Sequence, residues 1–185
     1  MIAIHQDEIV RAITDAQKGI KQYLEVMDNL YSCDVSQNKN FQKRFNAFYR
    51  IRQRSPEWYD TYYKLLEHYK LKNEVEFKTI LHTLHKSLGR YEPSFSSKLV
   101  ATIHPDLPIW DKYVLENCNI TPPSYSSKHK LSQAVLIYQN LVKWYAEFIS
   151  SEEAKKMITV FKNEVRDHDK ISDLKKIDFI LWKIR

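Results

Sequence analysis

Residues 7–31 read DEIVRAITDAQKGIKQYLEVMDNLY, and their pattern sets the fold class. Because an α-helix turns once every ~3.6 residues, side chains spaced by three, four or seven residues share one of its faces. Apolar side chains recur in this stretch at positions mostly three, four or seven residues apart: Ile9, Ile13, Ile20, Leu24, Met27 and Tyr31. The stretch therefore predicts a long amphipathic helix.

A second amphipathic helix is expected after Ser36, which can cap its first turn. Phe41, Phe45, Phe48 and Ile51 recur on one face of this helix. The other face is basic and carries Lys39, Lys43 and Arg44, with Arg50, Arg52 and Arg54 following. The basic run has two interpretations: it contacts phosphates, with Lys43 and Arg50 as candidates, or it is the solvated side of the helix.

Start and stop signals mark the other helices. Ser55 and Pro56 are typical of a helix N-terminus, and a helix from about Glu74 to Leu88 would end at Gly89, which tolerates a left-handed backbone. The other expected elements are two short helices interrupted at Pro105 and Pro108, a loop over residues 121–130, a helix over residues 131–149, a helix capped by Ser150 or Ser151, and a last helix from about Ser172.

The composition agrees with helices joined by short polar loops. Only two glycines occur in 185 residues, whereas tight β-hairpins usually need residues that tolerate positive φ. A chain of this length is typical of one domain, so we expect residues 1–185 to form a single helical domain. The predicted class is all-α, an orthogonal bundle of about eight or nine helices, because the helix lengths are uneven and prolines interrupt them.

The cellular setting is predicted from cysteines and hydropathy. Cys33 and Cys118 lie far apart and match no metal or redox spacing. The first residues, MIAIHQDE, lack the basic start and the long apolar run of a signal peptide. A reduced, cytoplasmic setting is therefore expected, with no membrane partner, because no apolar stretch approaches the ~20 residues of a membrane span. The formal net charge of +6 is compatible with a nucleic-acid partner and with an ordinary enzyme.

The segment 94–114 contains the strongest candidates for catalytic side chains. Pro93 and Ser94 predict a turn into a helix, with Lys98 within about its first turn. Asp111 follows Pro108 at the expected start of the next helix, where the helix dipole stabilises a carboxylate. A lysine and an aspartate carried by adjoining short helices could share one cleft.

This segment resembles the catalytic segment of the helix-hairpin-helix DNA glycosylases, especially their 8-oxoguanine branch. Residues 94–98, SFSSK, are similar to the Gly-x-Gly-x-Lys hairpin of that family, with serine in place of both glycines. Residues 108–111, PIWD, are similar to its Pro-Val-Asp element, with one extra residue. The resemblance is confined to residues 94–114.

The resemblance implies a glycosylase-like fold and a base-excision N-glycosylase with abasic-site lyase activity on DNA. Lys98 would be the nucleophile, and Asp111 would activate it and stabilise positive charge on the sugar. The target base would be extruded from the duplex and stacked on aromatic rings. No cofactor and no metal are implied. The residues implied in substrate binding are Ser94, Ser96, Ser97, Trp110, Tyr113, Lys43 and Arg50.

A second function stays open beside the enzyme: a non-catalytic helical binding or regulatory module on the same scaffold, which the loss of both hairpin glycines favours. The single residues also have plainer interpretations. Lys98 would then be a solvated helix lysine and Asp111 a structural helix cap. His82 and His85 have a spacing that metals use, but two ordinary helix histidines are expected. The aromatic run over residues 58–63 is expected to be core and rim.

Overall fold

The computed structural model describes residues 4–72 and 75–184 of the chain. Over these residues the protein has nine α-helices, one 3-10 turn and no strand, which confirms the predicted all-α class. The glycosylase-like part of the fold prediction stays a prediction. The helices are α1 (Gln6–Leu30), α2 (Lys39–Tyr49), α3 (Pro56–Lys70), α4 (Phe77–Leu88), α5 (Pro93–Ile103), α6 (Lys112–Asn117), α7 (Lys130–Phe148), α8 (Glu152–Glu164) and α9 (Asp173–Leu181), with the 3-10 turn at His168–Lys170.

The helices divide into two compact units. The central unit is Lys18–Ile103, and the terminal unit comprises the chain up to Gln17 and from His104 onward. Helix α1 contributes its first turns to the terminal unit and the others to the central unit. The expectation of one domain over residues 1–185 stays a prediction.

Helix α2 confirms the amphipathic pattern that its sequence predicts. Phe41, Phe45 and Phe48 are buried, and the basic residues of its opposite face are exposed. Its N-terminal cap differs from the prediction. The side-chain oxygen of Asn38, Oδ1, accepts a hydrogen bond from the Phe41 backbone amide at 2.9 Å. The predicted cap, Ser36, instead donates from its hydroxyl to the Asp34 carboxylate at 2.6 Å, so the helix begins further along the chain.

The ends of α3 and α4 follow local chemistry. Ser55 caps α3 as predicted, because its hydroxyl accepts from the Trp58 amide at 3.2 Å. Helix α4 begins at Phe77, and the expected start at Glu74 lies outside the described residues. Gly89 ends α4 with a φ of 64°, the left-handed conformation that its position in the sequence predicts.

Aromatic rings fill the core of the central unit. Phe45 is fully buried and lies 4.6 Å from the Tyr49 ring and 5.7 Å from the Tyr63 ring, measured between centroids. Trp58 stacks on Tyr62 with centroids 4.7 Å apart and ring planes inclined by only 11°. The core interpretation of residues 58–63 is therefore confirmed for Trp58, Tyr62 and Tyr63, which are all buried.

The terminal unit buries charge as well as apolar surface. In α9, the residues from Leu174 to Leu181 are all buried. Lys175, only 1% exposed, forms an ion pair with Asp178 at 2.8 Å, and the Tyr145 hydroxyl donates to the same carboxylate at 3.2 Å. Burial, with the Asp178 charge as the second cause, raises the pKa of Tyr145 well above its ordinary value. Helix α9 is thus held in its unit by a buried ion pair as well as by its buried apolar side chains.

None of the helices in the described part of the chain has both the length and the apolar character that crossing a bilayer requires.

Candidate nucleic-acid interface

The segment that resembles the glycosylase hairpin is continuous helix. Helix α5 begins at Pro93, so Ser94, Ser96 and Ser97 lie inside it, and Lys98 lies in its second turn rather than its first. The Ser96 amide and hydroxyl both donate to the Glu92 carbonyl, at 2.9 and 2.8 Å. The Ser97 hydroxyl donates to the Ser94 carbonyl at 2.9 Å. These groups are used within the helix, so the turn predicted at Pro93 and Ser94 does not form and the serines make no phosphate-binding hairpin.

Lys98 is half-buried on α5, between full burial and full exposure. Its Nζ donates to the backbone carbonyl of Tyr49, the last residue of α2, at 3.3 Å. The same Nζ lies 4.8 Å from the centroid of the Phe95 ring, within the range of a cation–π contact. The amine is therefore held between the end of α2 and an aromatic ring of its own helix.

Arg54 approaches the same ring from the segment between α2 and α3. Its guanidinium carbon lies 4.8 Å from the Phe95 centroid and 5.5 Å from the Trp58 centroid. The Arg54 side chain keeps 20% of its surface exposed. Phe95 itself packs edge-on against Trp58 at 5.1 Å, and its carbonyl accepts from the Tyr62 hydroxyl at 3.0 Å.

Two cations therefore share one ring. Because Arg54 and Lys98 are each 4.8 Å from the Phe95 centroid, their charges lie no further apart than twice that distance. This is less than about one Debye length in 0.1 M salt, so the two charges act together on a nearby anion. We call Arg54, Phe95 and Lys98 the Phe95 cluster.

The chain leading to the Phe95 cluster is basic and conformationally unusual. Arg50 and Gln53 both have a φ of 54°, in the left-handed region that residues other than glycine rarely adopt. Such conformations cost roughly 1–3 kcal/mol each and often mark functional segments. Arg50 and Arg52 are exposed in this segment, and Lys43 is exposed on the preceding helix. The predicted phosphate contacts Lys43 and Arg50 thus lie on accessible surface of the central unit.

Asp111 belongs to the terminal unit, whereas Lys98 belongs to the central unit. Asp111 caps α6, since its carboxylate accepts from the Tyr113 amide at 2.9 Å, which confirms the structural interpretation of this residue. Its charge also contributes, as the last of several causes, to the raised pKa of Tyr145. The predicted catalytic pairing of Lys98 with Asp111 stays a prediction.

The aromatic residues beside Asp111 have different exposures. Trp110 is 6% exposed and belongs to the core of the terminal unit, so its ring is not an open surface on which an extruded base could stack. Tyr113 is half-buried, with the Lys112 Nζ 5.7 Å from its ring centroid. The predicted stacking role is therefore contradicted for Trp110 and stays a prediction for Tyr113.

Among the described residues, no group of three or more His, Cys, Asp or Glu side chains is arranged to hold a metal ion. His82 is exposed, and the half-buried His85 pairs through Nδ1 with the Arg90 carbonyl at 3.3 Å. Both are ordinary helix histidines, as expected.

Sequence reasoning missed the Phe95 cluster as a unit. Lys98 was singled out for its place in a motif, and Arg54 only as the end of a basic run. Phe95, which brings them together, is one apolar position among many in α5. The available signal was the pairing of an aromatic with a lysine three positions later on one helix face.

Comparison of the chain with protein-family models, with curated proteins and with solved structures found no match.

Proposed function

We propose that the protein is a DNA-binding module that contacts the sugar-phosphate backbone through the Phe95 cluster and the basic segment beside it. The observation that supports this most is the placement of two cations, Arg54 and Lys98, on one aromatic ring. Like charges held this close repel each other, so a bound polyanion is favoured because it relieves that repulsion.

The charge distribution supports the same proposal. Lys18–Ile103 contains 15 lysines and arginines against nine aspartates and glutamates, a formal net charge of +6. The rest of the chain contains 14 of each and is neutral. The excess positive charge of the protein therefore belongs entirely to the unit that carries the Phe95 cluster. Concentrated positive charge of this kind is the usual electrostatic feature of a nucleic-acid-binding surface.

Replacing Lys98 with methionine tests the proposal. We expect affinity for a fluorescein-labelled duplex to fall about fivefold to tenfold in fluorescence anisotropy, and the dependence of log affinity on log salt to weaken by about one unit. Methionine keeps an unbranched apolar stem against Phe95 while removing the charge. The matched control is Lys143→Met, which removes an exposed charge from the neutral terminal unit and should change the affinity less than about twofold.

Two outcomes would contradict the proposal. If the wild-type protein binds no duplex even at low salt, the module does not bind DNA. If Lys98→Met and Lys143→Met weaken binding equally, binding follows the overall charge of the chain and the Phe95 cluster has no special part in it.

Abasic-site lyase chemistry is a second candidate, and one observation favours it. Lys98 is a half-buried residue, and its amine shares the Phe95 ring with the Arg54 guanidinium. A neighbouring cation disfavours a second positive charge, and an attacking amine must be unprotonated. The amine would add to the aldehyde carbon of an abasic site and lose water, which gives an iminium between lysine and sugar.

Borohydride trapping tests this candidate. A duplex with an abasic site is incubated with the protein and reduced, so that any iminium becomes a permanent cross-link with altered gel mobility. The lyase proposal expects a cross-link that disappears in Lys98→Met, remains in Lys143→Met, and weakens in Asp111→Asn. A cross-link that persists in Lys98→Met would come from other, surface amines. If no cross-link forms in the wild-type protein, DNA binding is the only function left.

A further inference from the structure

Arg54 has more hydrogen-bonding capacity than the protein uses. Its Nε is buried and has no hydrogen-bond acceptor within the described residues. Its Nη2 lies 3.6 Å from the Glu92 carboxylate, which is longer than the ~2.7–2.9 Å of a strong charged hydrogen bond. The guanidinium is thus held by the Phe95 and Trp58 rings, at 4.8 and 5.5 Å, as well as by this long ion pair.

Glu92 divides its carboxylate between two arginines, and the closer contact is not with Arg54. Its Oε1 accepts from the Arg90 Nε at 3.0 Å, whereas its Oε2 makes the longer approach to Arg54. The Glu92 side chain is only 8% exposed. A buried carboxylate therefore lies beside the guanidinium without satisfying it.

We propose that Arg54 is the phosphate-binding residue of the Phe95 cluster, and that Glu92 competes with the phosphate for it. A backbone phosphate of DNA would bind the terminal Nη groups of Arg54 and displace the long contact of Nη2 with Glu92, while Arg90 retains the carboxylate. This inference rests on the proposed DNA-binding function and names the residue that carries it.

The geometry of the guanidinium supports this assignment. The planar guanidinium presents its N–H groups as a fork that matches two oxygens of a phosphate, which an ammonium group cannot do. Packing against Phe95 and Trp58 fixes the plane in advance, so binding loses less side-chain freedom than it would for a fully mobile arginine. Lys98, on the same ring, adds a second charge without requiring a fork.

Arg54→Lys tests the need for the fork, with Arg166→Lys as the matched control. Both substitutions keep the formal charge, and Arg166 is an exposed residue of the formally neutral terminal unit, outside the proposed binding surface. In duplex-binding anisotropy we expect Arg54→Lys to lose about fivefold to tenfold in affinity and Arg166→Lys to change it less than about twofold. Equal effects of the two substitutions would overturn the assignment of Arg54.

Glu92→Gln tests the competition. The amide has nearly the shape of the carboxylate and still accepts a hydrogen bond from Arg90, but it no longer attracts Arg54 as an anion. We expect the duplex affinity to rise about threefold or more, because the phosphate no longer displaces a counter-ion. A fall in affinity would overturn the proposal, since it would show that Glu92 holds Arg54 in place for DNA.

Failure of the inference can be distinguished from failure of the proposed function. If the wild-type protein does not bind the duplex, DNA binding itself is refuted. If it binds and Lys98→Met weakens binding, but Arg54→Lys does no more than Arg166→Lys, only the role of Arg54 is refuted. Circular dichroism and thermal unfolding of each variant establish that it is folded. If Glu92→Gln does not fold, the comparison of Arg54→Lys with Arg166→Lys decides the assignment.

Discussion

Replacing Asp178 with alanine is expected to lower the free energy of unfolding by about 3–5 kcal/mol. The substitution removes the ion-pair partner of Lys175, whose ammonium is 2.8 Å away and almost completely buried. The Tyr145 hydroxyl would lose its acceptor in the same step. An uncompensated buried charge is among the most unfavourable changes that a single substitution makes, and urea unfolding followed by circular dichroism measures it.

The control for Asp178 is an ion pair of similar sequence spacing on the surface of the same unit. Glu147 pairs with Lys143 at 3.8 Å, and both side chains are more than two-thirds exposed. Glu147→Ala should therefore change the free energy of unfolding by less than about 0.5 kcal/mol. The double variant Lys175→Met, Asp178→Ala should recover part of the loss, because it removes both charges. Equal effects of Asp178→Ala and Glu147→Ala would contradict the buried ion pair.

Replacing Trp58 with alanine should cost about 3–5 kcal/mol of the free energy of unfolding, the range for truncating a buried tryptophan. The Trp58 side chain is 1% exposed, stacks on Tyr62, and packs against Phe95. The cavity would remove support from Phe95, so the duplex affinity of the protein that stays folded should fall too. Denaturant unfolding and fluorescence anisotropy on one sample measure both consequences.

Trp58→Phe distinguishes the contribution of aromatic packing from that of the indole Nε1 hydrogen-bond donor. The Trp58 Nε1 is buried without a hydrogen-bond acceptor in the described ranges, so removing it breaks no hydrogen bond there. A phenyl ring also keeps most of the stacking on Tyr62. We expect this variant to lose only about 1 kcal/mol, the usual effect of a core substitution. A loss as large as that of Trp58→Ala would show that the indole nitrogen has a partner after all.

The two units therefore use buried polar chemistry differently. In the terminal unit, the pair of Lys175 and Asp178 is satisfied and turned inward, which serves stability. In the central unit, the guanidinium of Arg54 is only partly satisfied, because its buried Nε has no acceptor within the described residues and its Nη2 lies 3.6 Å from Glu92.

The local chemistry of single residues predicted most of the helices. Ser55, Ser151 and Ser172 each cap a helix with their hydroxyl groups, and Gly89 ends one in a left-handed conformation. These features depend on neighbours a few positions away, so they can be read directly from the sequence. The Ser36 prediction is wrong because the serine hydroxyl donates to Asp34, and Asn38 caps α2 instead.

The candidate site could be predicted only in part, because its residues are far apart in the sequence and sequence patterns report only on near neighbours. Lys98 and Arg54 were both visible as cations, but they are 44 positions apart, and nothing in their local sequence indicates that Phe95 lies beside both. The serines of residues 94–97 resemble those of a hairpin, yet they lie within α5, where the hydroxyls of Ser96 and Ser97 donate to nearby backbone carbonyls.

The sequence by itself determined the all-α class, the apolar face of α2 and most helix ends, because helical period and capping are short-range properties. It misplaced the apolar face in the second half of α1, where Tyr23, Val26 and Leu30 are buried and Tyr31 is 58% exposed. The tertiary structure alone decided which cations meet, which charges are buried and which donors stay unsatisfied. Burial and electrostatic interaction depend on distance in space, and helix packing brings together groups that the chain keeps far apart.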